Sequence, residues 1–268
     1  MKTFVFDAAR CNGCFNCQIA CKDEHCGNDW MPYALPQPDM GHFWCKVDQF
    51  THGQIPKVKL EYKVRMCNHC ENPACMQAAP DAVYRRDDGL VVIDPAKAKG
   101  RKDLVDACPY GEIFWNAEAG VPQKCTGCAH LVDAGELPRC VDACPTGALR
   151  YVEEGEVEPG AKAIGLPADA GAAPRMRYVN VPGLFVSGDV WDKEANEIVE
   201  GARVTLTPQS GEALSTSTDD LGDFWFRNLE AGVYDLHVEH DGYQPQDMRG
   251  IKLDKSLNLG DFPLLKRQ

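Results

Sequence analysis

The chain has 268 residues, 44% hydrophobic and 25% charged, the composition of a soluble globular protein of one large or two ordinary domains. Its 28 basic residues against 40 acidic ones, net −12, argue against a nucleic-acid partner. No apolar run approaches the roughly 18 residues a membrane span needs, and mean hydropathy is −0.36, so no direct membrane span is expected.

Met1-Lys2-Thr3-Phe4 leads into a cysteine motif without an apolar h-region or a twin-arginine pair. The expected compartment is therefore the cytoplasm, unless a partner carrying an export signal takes the chain with it. Fourteen cysteines lie between Cys11 and Cys144, and none follows. Without a secretion signal, such density argues for metal rather than for a disulfide scaffold. Charge divides at a similar place: residues 1–150 carry 17 Lys+Arg and 19 Asp+Glu, whereas residues 151–268 carry 11 and 21.

Taken in chain order, Thr3–Asp7 reads as a strand. An insert over residues 22–66, rich in aromatics and proline and holding Trp30, His42 and Trp44, reads as a partner-contact surface or as local packing. Ala82–Ile93 reads as a hairpin turning at Asp88-Gly89. Ala96–Ala107 reads as a short helix begun by Asp94-Pro95. The first domain is expected over 1–152. Residues 153–177, with Glu, Gly, Pro and Ala but no periodicity, read as an extended linker. From 178 to 268 short alternating runs (Leu184–Val190, Ala202–Thr207, Phe224–Phe226, Val233–Val238, Ile251–Leu253, Leu257–Leu259) are punctuated by Gly201, Gly211, Gly222, Gly232 and Gly242. This spacing predicts an all-β sandwich.

Four cysteine motifs carry the chemistry. They are Cys11-x2-Cys14-x2-Cys17-x3-Cys21, then Cys67-x2-Cys70-x4-Cys75, then Cys108-Pro109, then Cys125-x2-Cys128-x11-Cys140-x3-Cys144-Pro145. The first has the bacterial ferredoxin spacing, in which three cysteines hold one cluster and the fourth reaches another. A [4Fe–4S] cube takes one thiolate at each of four irons, so such motifs work in pairs. If the first and fourth pair, Cys11, Cys14, Cys17 and Cys144 hold one cluster, and Cys125, Cys128, Cys140 and Cys21 hold a second. If the middle motifs pair, Cys67, Cys70, Cys75 and Cys108 hold a third. A fourth cluster would need residues 79, 98, 101 and 104, which are Ala79, Ala98, Arg101 and Leu104. One whole site is lost while three remain complete. Zinc is the alternative, but three cysteines at x2 spacing followed by x3 and a later Cys-Pro suit tetrahedral zinc poorly. Cys26 and Cys45 remain over as free, buried thiols. His69 and His130 lie beside cysteines, where they pack or hydrogen-bond to a cluster. His237 and His240 read as ordinary strand residues. Among other motifs, G-x-G-x-x-G after a strand, a Walker loop, G-x-S-x-G and H-E-x-x-H are all absent, so no catalytic residue is assigned.

These motifs resemble the electron-transfer (β) subunits of molybdopterin oxidoreductases of the dimethyl-sulfoxide-reductase type. The stretches Cys67-Asn68-His69-Cys70-Glu71-Asn72, Asp94–Gly100, Cys108-Pro109-Tyr110-Gly111 and Gln123–Leu131 are most similar to small subunits of pyrogallol–phloroglucinol transhydroxylases and related phenolic hydroxylases and dehydroxylases. The resemblance implies an α+β chain, a duplicated bacterial-ferredoxin-like domain followed by an immunoglobulin-like or prealbumin-like sandwich. It implies three [4Fe–4S] clusters here, and molybdopterin with molybdenum on a large catalytic partner of a heterodimer, where the active site is expected. Residues Val186–Val190, Gly201–Leu206, Thr218–Phe226 and Leu229–Leu236 resemble carboxypeptidase-regulatory-like and Cna-B-like sandwiches. Other readings are a non-redox subunit whose clusters only stabilise the assembly, a β subunit of another molybdopterin oxidoreductase, and a free-standing ferredoxin.

Overall fold

The structure is a computed structural model that describes residues 1–163 and 171–267. The chain forms two units, one of Met1–Gln49 and Tyr62–Val181, the other of Phe50–Glu61 and Pro182–Gln268.

In the first unit Lys2–Asp7 forms the middle strand of a three-stranded sheet. It pairs antiparallel with Leu149–Glu153 and parallel with Arg177–Val179. Two further pairings are short ribbons. Val83–Arg85 pairs with Val91–Ile93, turning through Arg86–Leu90, and Phe114–Asn116 pairs with Val121–Gln123. Strands of three residues cannot hold a fold by themselves. The core confirms where the cohesion lies, because Cys17, Cys21, Cys45, Cys125 and Cys140 are buried within one cluster with Phe4, Phe6, Trp44, Met66 and Leu149.

Three sequence expectations meet a different arrangement. Residues 96–107 form no α-helix. Asp94 caps one turn by accepting from the Ala96 and Lys97 N–H groups, but Gly100 then takes φ +82° and donates to the Gly120 carbonyl. Only a 3-10 turn, Lys102–Leu104, follows. Within the aromatic insert, Cys45–Gln54 and Lys57–Met66 form an antiparallel ribbon that the aromatic content obscured. Part of the expected linker is bound to the first unit, and its residues 164–170 lie outside the described residues. Arg175 is 4% exposed and donates to the Gly89 and Lys2 carbonyls and to Glu154. Ala172 and Ala173 accept from Asn72 and Glu71.

The second unit contains two four-stranded sheets. In one, Leu184–Asp192 pairs antiparallel with Asp223–Leu229 and Glu197–Ile198, and parallel with Leu257–Leu264. The other runs Leu214–Ser217, Arg203–Pro208, Gly232–Glu239, Gln246–Leu253. Alternation places Val186, Val190, Phe224, Phe226 and Phe262 from the first sheet against Val204, Leu206, Leu236, Val238 and Leu253 from the second, in one buried core. Lys57 of the ribbon tip is buried and paired with Asp189 at 2.8 Å and Asp223 at 2.5 Å. Leu206 is fully buried here, so Leu206→Ala is expected to destabilise the sandwich by about 2–5 kcal/mol. A lower thermal transition with unchanged iron content in the full-length protein is the outcome to look for.

Candidate metal centres

The first unit gathers twelve cysteines into three groups. Cys11 stands beside Cys14, Cys17 and Cys144. Cys21 stands beside Cys125, Cys128 and Cys140. Cys70 stands beside Cys67, Cys75 and Cys108. These are the same foursomes that the spacing pairs. The third group lines one small cavity, together with His69, Tyr110, Ile113 and Lys124.

The local backbone is built the same way around the groups. The residue before the second cysteine is left-handed in three of the C-x2-C pairs: Gly13 at φ +69°, His69 at +43° and Gly127 at +66°. That turn aims the same residue's N–H back at the first cysteine. Gly13 bonds Cys11, His69 N donates to Cys67 Sγ at 3.4 Å, and Gly127 N donates to Cys125 Sγ at 3.3 Å. Each Cys-Pro segment also turns through a left-handed glycine, Gly111 or Gly147. Backbone donors then reach its sulfur, Glu112 N to Cys108 and Leu149 N to Cys144, both at 3.4 Å. The helix Asn16–His25 puts Cys17 and Cys21 four residues apart, both buried, although they belong to different groups.

The electrostatics suit a positively charged centre. Burial and then the neighbouring thiolates push the Cys70 thiol up to about 12. Cys75 is pushed up to about 11, first by burial. Cys21 and Cys125 are raised further, again with burial first and adjacent thiolates after it. Four such thiols ionise together only if a cation neutralises them, and N–H···S bonds favour the thiolate form. Among the described residues, no three His, Cys, Asp or Glu side chains converge as the shell of a single ion. A four-iron cube needs no such convergence, since each corner takes one thiolate.

The positions a fourth cluster would need are filled differently. Ala79, Ala98 and Leu104 are fully buried in one apolar core with Cys75, Val83, Val91, Ile93 and Ile113. Arg101 lies at the surface, donating to the Ala78 carbonyl and pairing with Asp103. Of the two remaining thiols, Cys45 is fully buried and hydrogen-bonds Cys17 and Cys140, which belong to different groups. Cys26 is not buried as expected: it is half-exposed and its thiol donates to Asp39 at 3.3 Å.

Aromatic residues of the insert pack beside the second group. Trp44 lies against His25, and Trp30 stacks on His130 at 4.0 Å. Glu24 receives Arg139 and His130 at 2.7 and 3.0 Å. His69 is fully enclosed and neutral, because burial depresses its pKa, and its Nδ1 accepts from Val91 N. His237 pairs with Asp247 on a strand surface, an ordinary role. Sequence reasoning assigned no role to Lys124, a buried cation between two cysteine groups. Its signal was a lysine directly preceding Cys125.

Comparison with known proteins decides the family. The chain is 36% identical to the pyrogallol hydroxytransferase small subunit of Pelobacter acidigallici, over 97% of this chain and 98% of that one. The chain belongs to this small-subunit family. It is also 34% identical to the selenate reductase β subunit of Thauera selenatis and 38% identical to the chlorate reductase β subunit of Ideonella dechloratans. Each of those matches covers 74% of this chain and 64% of the relative. Residues 58–154 match a 4Fe-4S dicluster domain, and residues 186–263 match a carboxypeptidase regulatory-like domain. The small subunit is therefore an iron–sulfur protein of the molybdopterin-oxidoreductase type, with an electron-transfer role and a β-sandwich appended. Among the described residues, no helix is long and apolar enough to cross a membrane.

Gly127 tests the wrap directly. A Cβ there would lie 2.4 Å from Leu90 Cδ2 at a left-handed φ, whereas at Gly120, φ +68°, a Cβ would meet open space. Gly127→Ala is expected to lower the iron bound per chain, Gly120→Ala to leave it unchanged, and Leu90→Ala to restore part of the loss in the Gly127→Ala background. Iron and labile-sulfide assays on the purified protein give the comparison.

Proposed function

We propose that this chain is the electron-transfer subunit of a heterodimeric molybdopterin enzyme acting on phenolic aromatics, with transhydroxylation, hydroxylation or dehydroxylation as the reaction class. The observation that carries this reading is the end-to-end match to the pyrogallol hydroxytransferase small subunit, which spans both the cysteine-rich unit and the sandwich. The large partner would hold molybdopterin and molybdenum and the substrate, and this chain assigns no catalytic residue of its own.

Three [4Fe–4S] clusters are assigned to the cysteine foursomes: Cys11, Cys14, Cys17 and Cys144; Cys21, Cys125, Cys128 and Cys140; Cys67, Cys70, Cys75 and Cys108. Bound there, each cluster supplies a one-electron redox centre. The protein's own part is to present four thiolates per site, to aim backbone N–H groups at their sulfurs and to exclude water from the inner ligands. The recurring left-handed wraps and Cys-Pro turns support reading this part as a duplicated ferredoxin-like domain, expected over 1–152 with a connector over 153–177 and the sandwich over 178–268. The buried apolar packing of Ala79, Ala98 and Leu104 supports three clusters rather than four.

A second reading has its own support. Buried cysteines form much of the first unit's core, so the clusters also act as staples that couple metal binding to folding. Reductant separates a redox role from a purely structural one: visible absorption that bleaches with dithionite and returns on reoxidation fits electron transfer, and clusters inert to both reagents fit the staple alone.

Cluster content gives the sharper check. The holoprotein should carry about twelve irons, and about sixteen would overturn the three-cluster assignment. Cys108→Ser should perturb only the EPR signal of the Cys67, Cys70 and Cys75 site. Cys144→Ser should perturb only that of Cys11, Cys14 and Cys17.

A further inference from the structure

Lys124 is an unusual buried residue. It is 3% exposed, and its ammonium donates to the Val91 carbonyl and to the Cys125 carbonyl, the latter at 3.1 Å. It also faces Cys67, Cys75 and Cys125. Cys67 and Cys75 belong to the third cysteine group and Cys125 to the second, and the Cys67 and Cys125 sulfurs are near neighbours. The same nitrogen lines the cavity bounded by Cys67, Cys70, Cys75 and Cys108. Two carbonyl acceptors and the facing cysteine sulfurs suit the positive charge of an ammonium.

We infer that Lys124 is a positioning and electrostatic residue shared by two iron–sulfur sites, holding up the reduction potentials of both at once. This rests on the cluster assignment above. One-electron reduction of either site adds a negative charge close to the ammonium, so the fixed positive charge stabilises the reduced form. Low local dielectric strengthens that effect. No bond is made or broken, and Lys124 keeps its proton throughout. Lys124 does not face the first group, where Cys11 has Cys14, Cys17 and Cys144 as its neighbours, so that site should respond little to its replacement.

The alternative is a lysine that serves packing alone. Its two carbonyl bonds would satisfy that role, but packing does not require a charge between two sets of thiolates. A side chain of similar length without charge separates the two.

The test is an EPR-monitored redox titration of the intact holoprotein and of Lys124→Met and Lys124→Arg, with signals assigned through Cys108→Ser and Cys144→Ser. In Lys124→Met the equilibrium constants for reducing the second and third sites should fall at least about tenfold, a downward shift of about 59 mV for a one-electron couple. The first site should hold its value, and Lys124→Arg should restore both shifted sites. Full iron content with unmoved potentials, or a shift at all three sites alike, overturns the shared role while leaving the cluster assignment intact. A wild-type iron count that is not about twelve sinks the assignment itself and this inference with it. Should Lys124→Met fail to load iron, 15N-lysine-labelled wild-type protein decides the matter by electron–nuclear double resonance. A 15N coupling on the reduced third site supports the contact, and its absence refutes it.

Discussion

Crowded, buried thiols set the terms for this molecule. Burial and mutual repulsion raise the Cys21, Cys70, Cys75 and Cys125 thiols, so the second and third foursomes resist ionisation until something positive sits among the sulfurs. The surrounding unit cannot do without those sulfurs. Two of its ribbons have strands only three residues long, and its main core mixes Cys17, Cys21, Cys45, Cys125 and Cys140 with aromatic and aliphatic side chains. The sandwich answers to a different rule. It is held by an alternating apolar core and by the Lys57 ion pairs, with no cysteine at all.

Repetition of one backbone device explains how loops can be so specific. A left-handed residue at Gly13, His69 and Gly127 turns an N–H toward the first sulfur of each pair. Only glycine adopts that conformation freely, so His69 stands out. Its ring repays the strain by accepting from Val91 and by stacking near Phe4. Where the cysteines are absent, the same region of chain is stabilised by packing instead. Ala79, Ala98 and Leu104 bring Val83, Val91 and Ile93 together, and Arg101 turns outward to Asp103.

Legibility varied with the kind of physics involved. Cysteine spacing is a strong signal because a cube demands four ligands at fixed reach, and the groups seen around Cys11, Cys21 and Cys70 are the ones that spacing pairs. Sandwich strands were equally plain through period-two alternation, although the edge strands Leu214–Ser217 and Glu197–Ile198 bury too little to leave a pattern. The ribbon strand Lys57–Met66 does alternate (Val58, Leu60, Tyr62, Val64, Met66), but of these apolar residues only Val64 and Met66 are buried, and the surrounding aromatics masked the pattern. The expected helix at 96–107 had a sound N-terminal signal in Asp94-Pro95. It ends after one turn because Gly100 reverses its backbone to reach Gly120, a long-range bond that local propensity cannot express.

By itself, the sequence determined the iron–sulfur chemistry and pointed to the cysteines that stand together, because these depend on residue type and spacing along the chain. Only the tertiary structure decided what lies between and behind the ligands. It placed Lys124 between Cys67 and Cys125, Cys45 between Cys17 and Cys140, and Arg175 under Gly89 and Lys2. Each of these joins residues from distant parts of the chain, and burial and charge compensation at such meeting points have no one-dimensional signature.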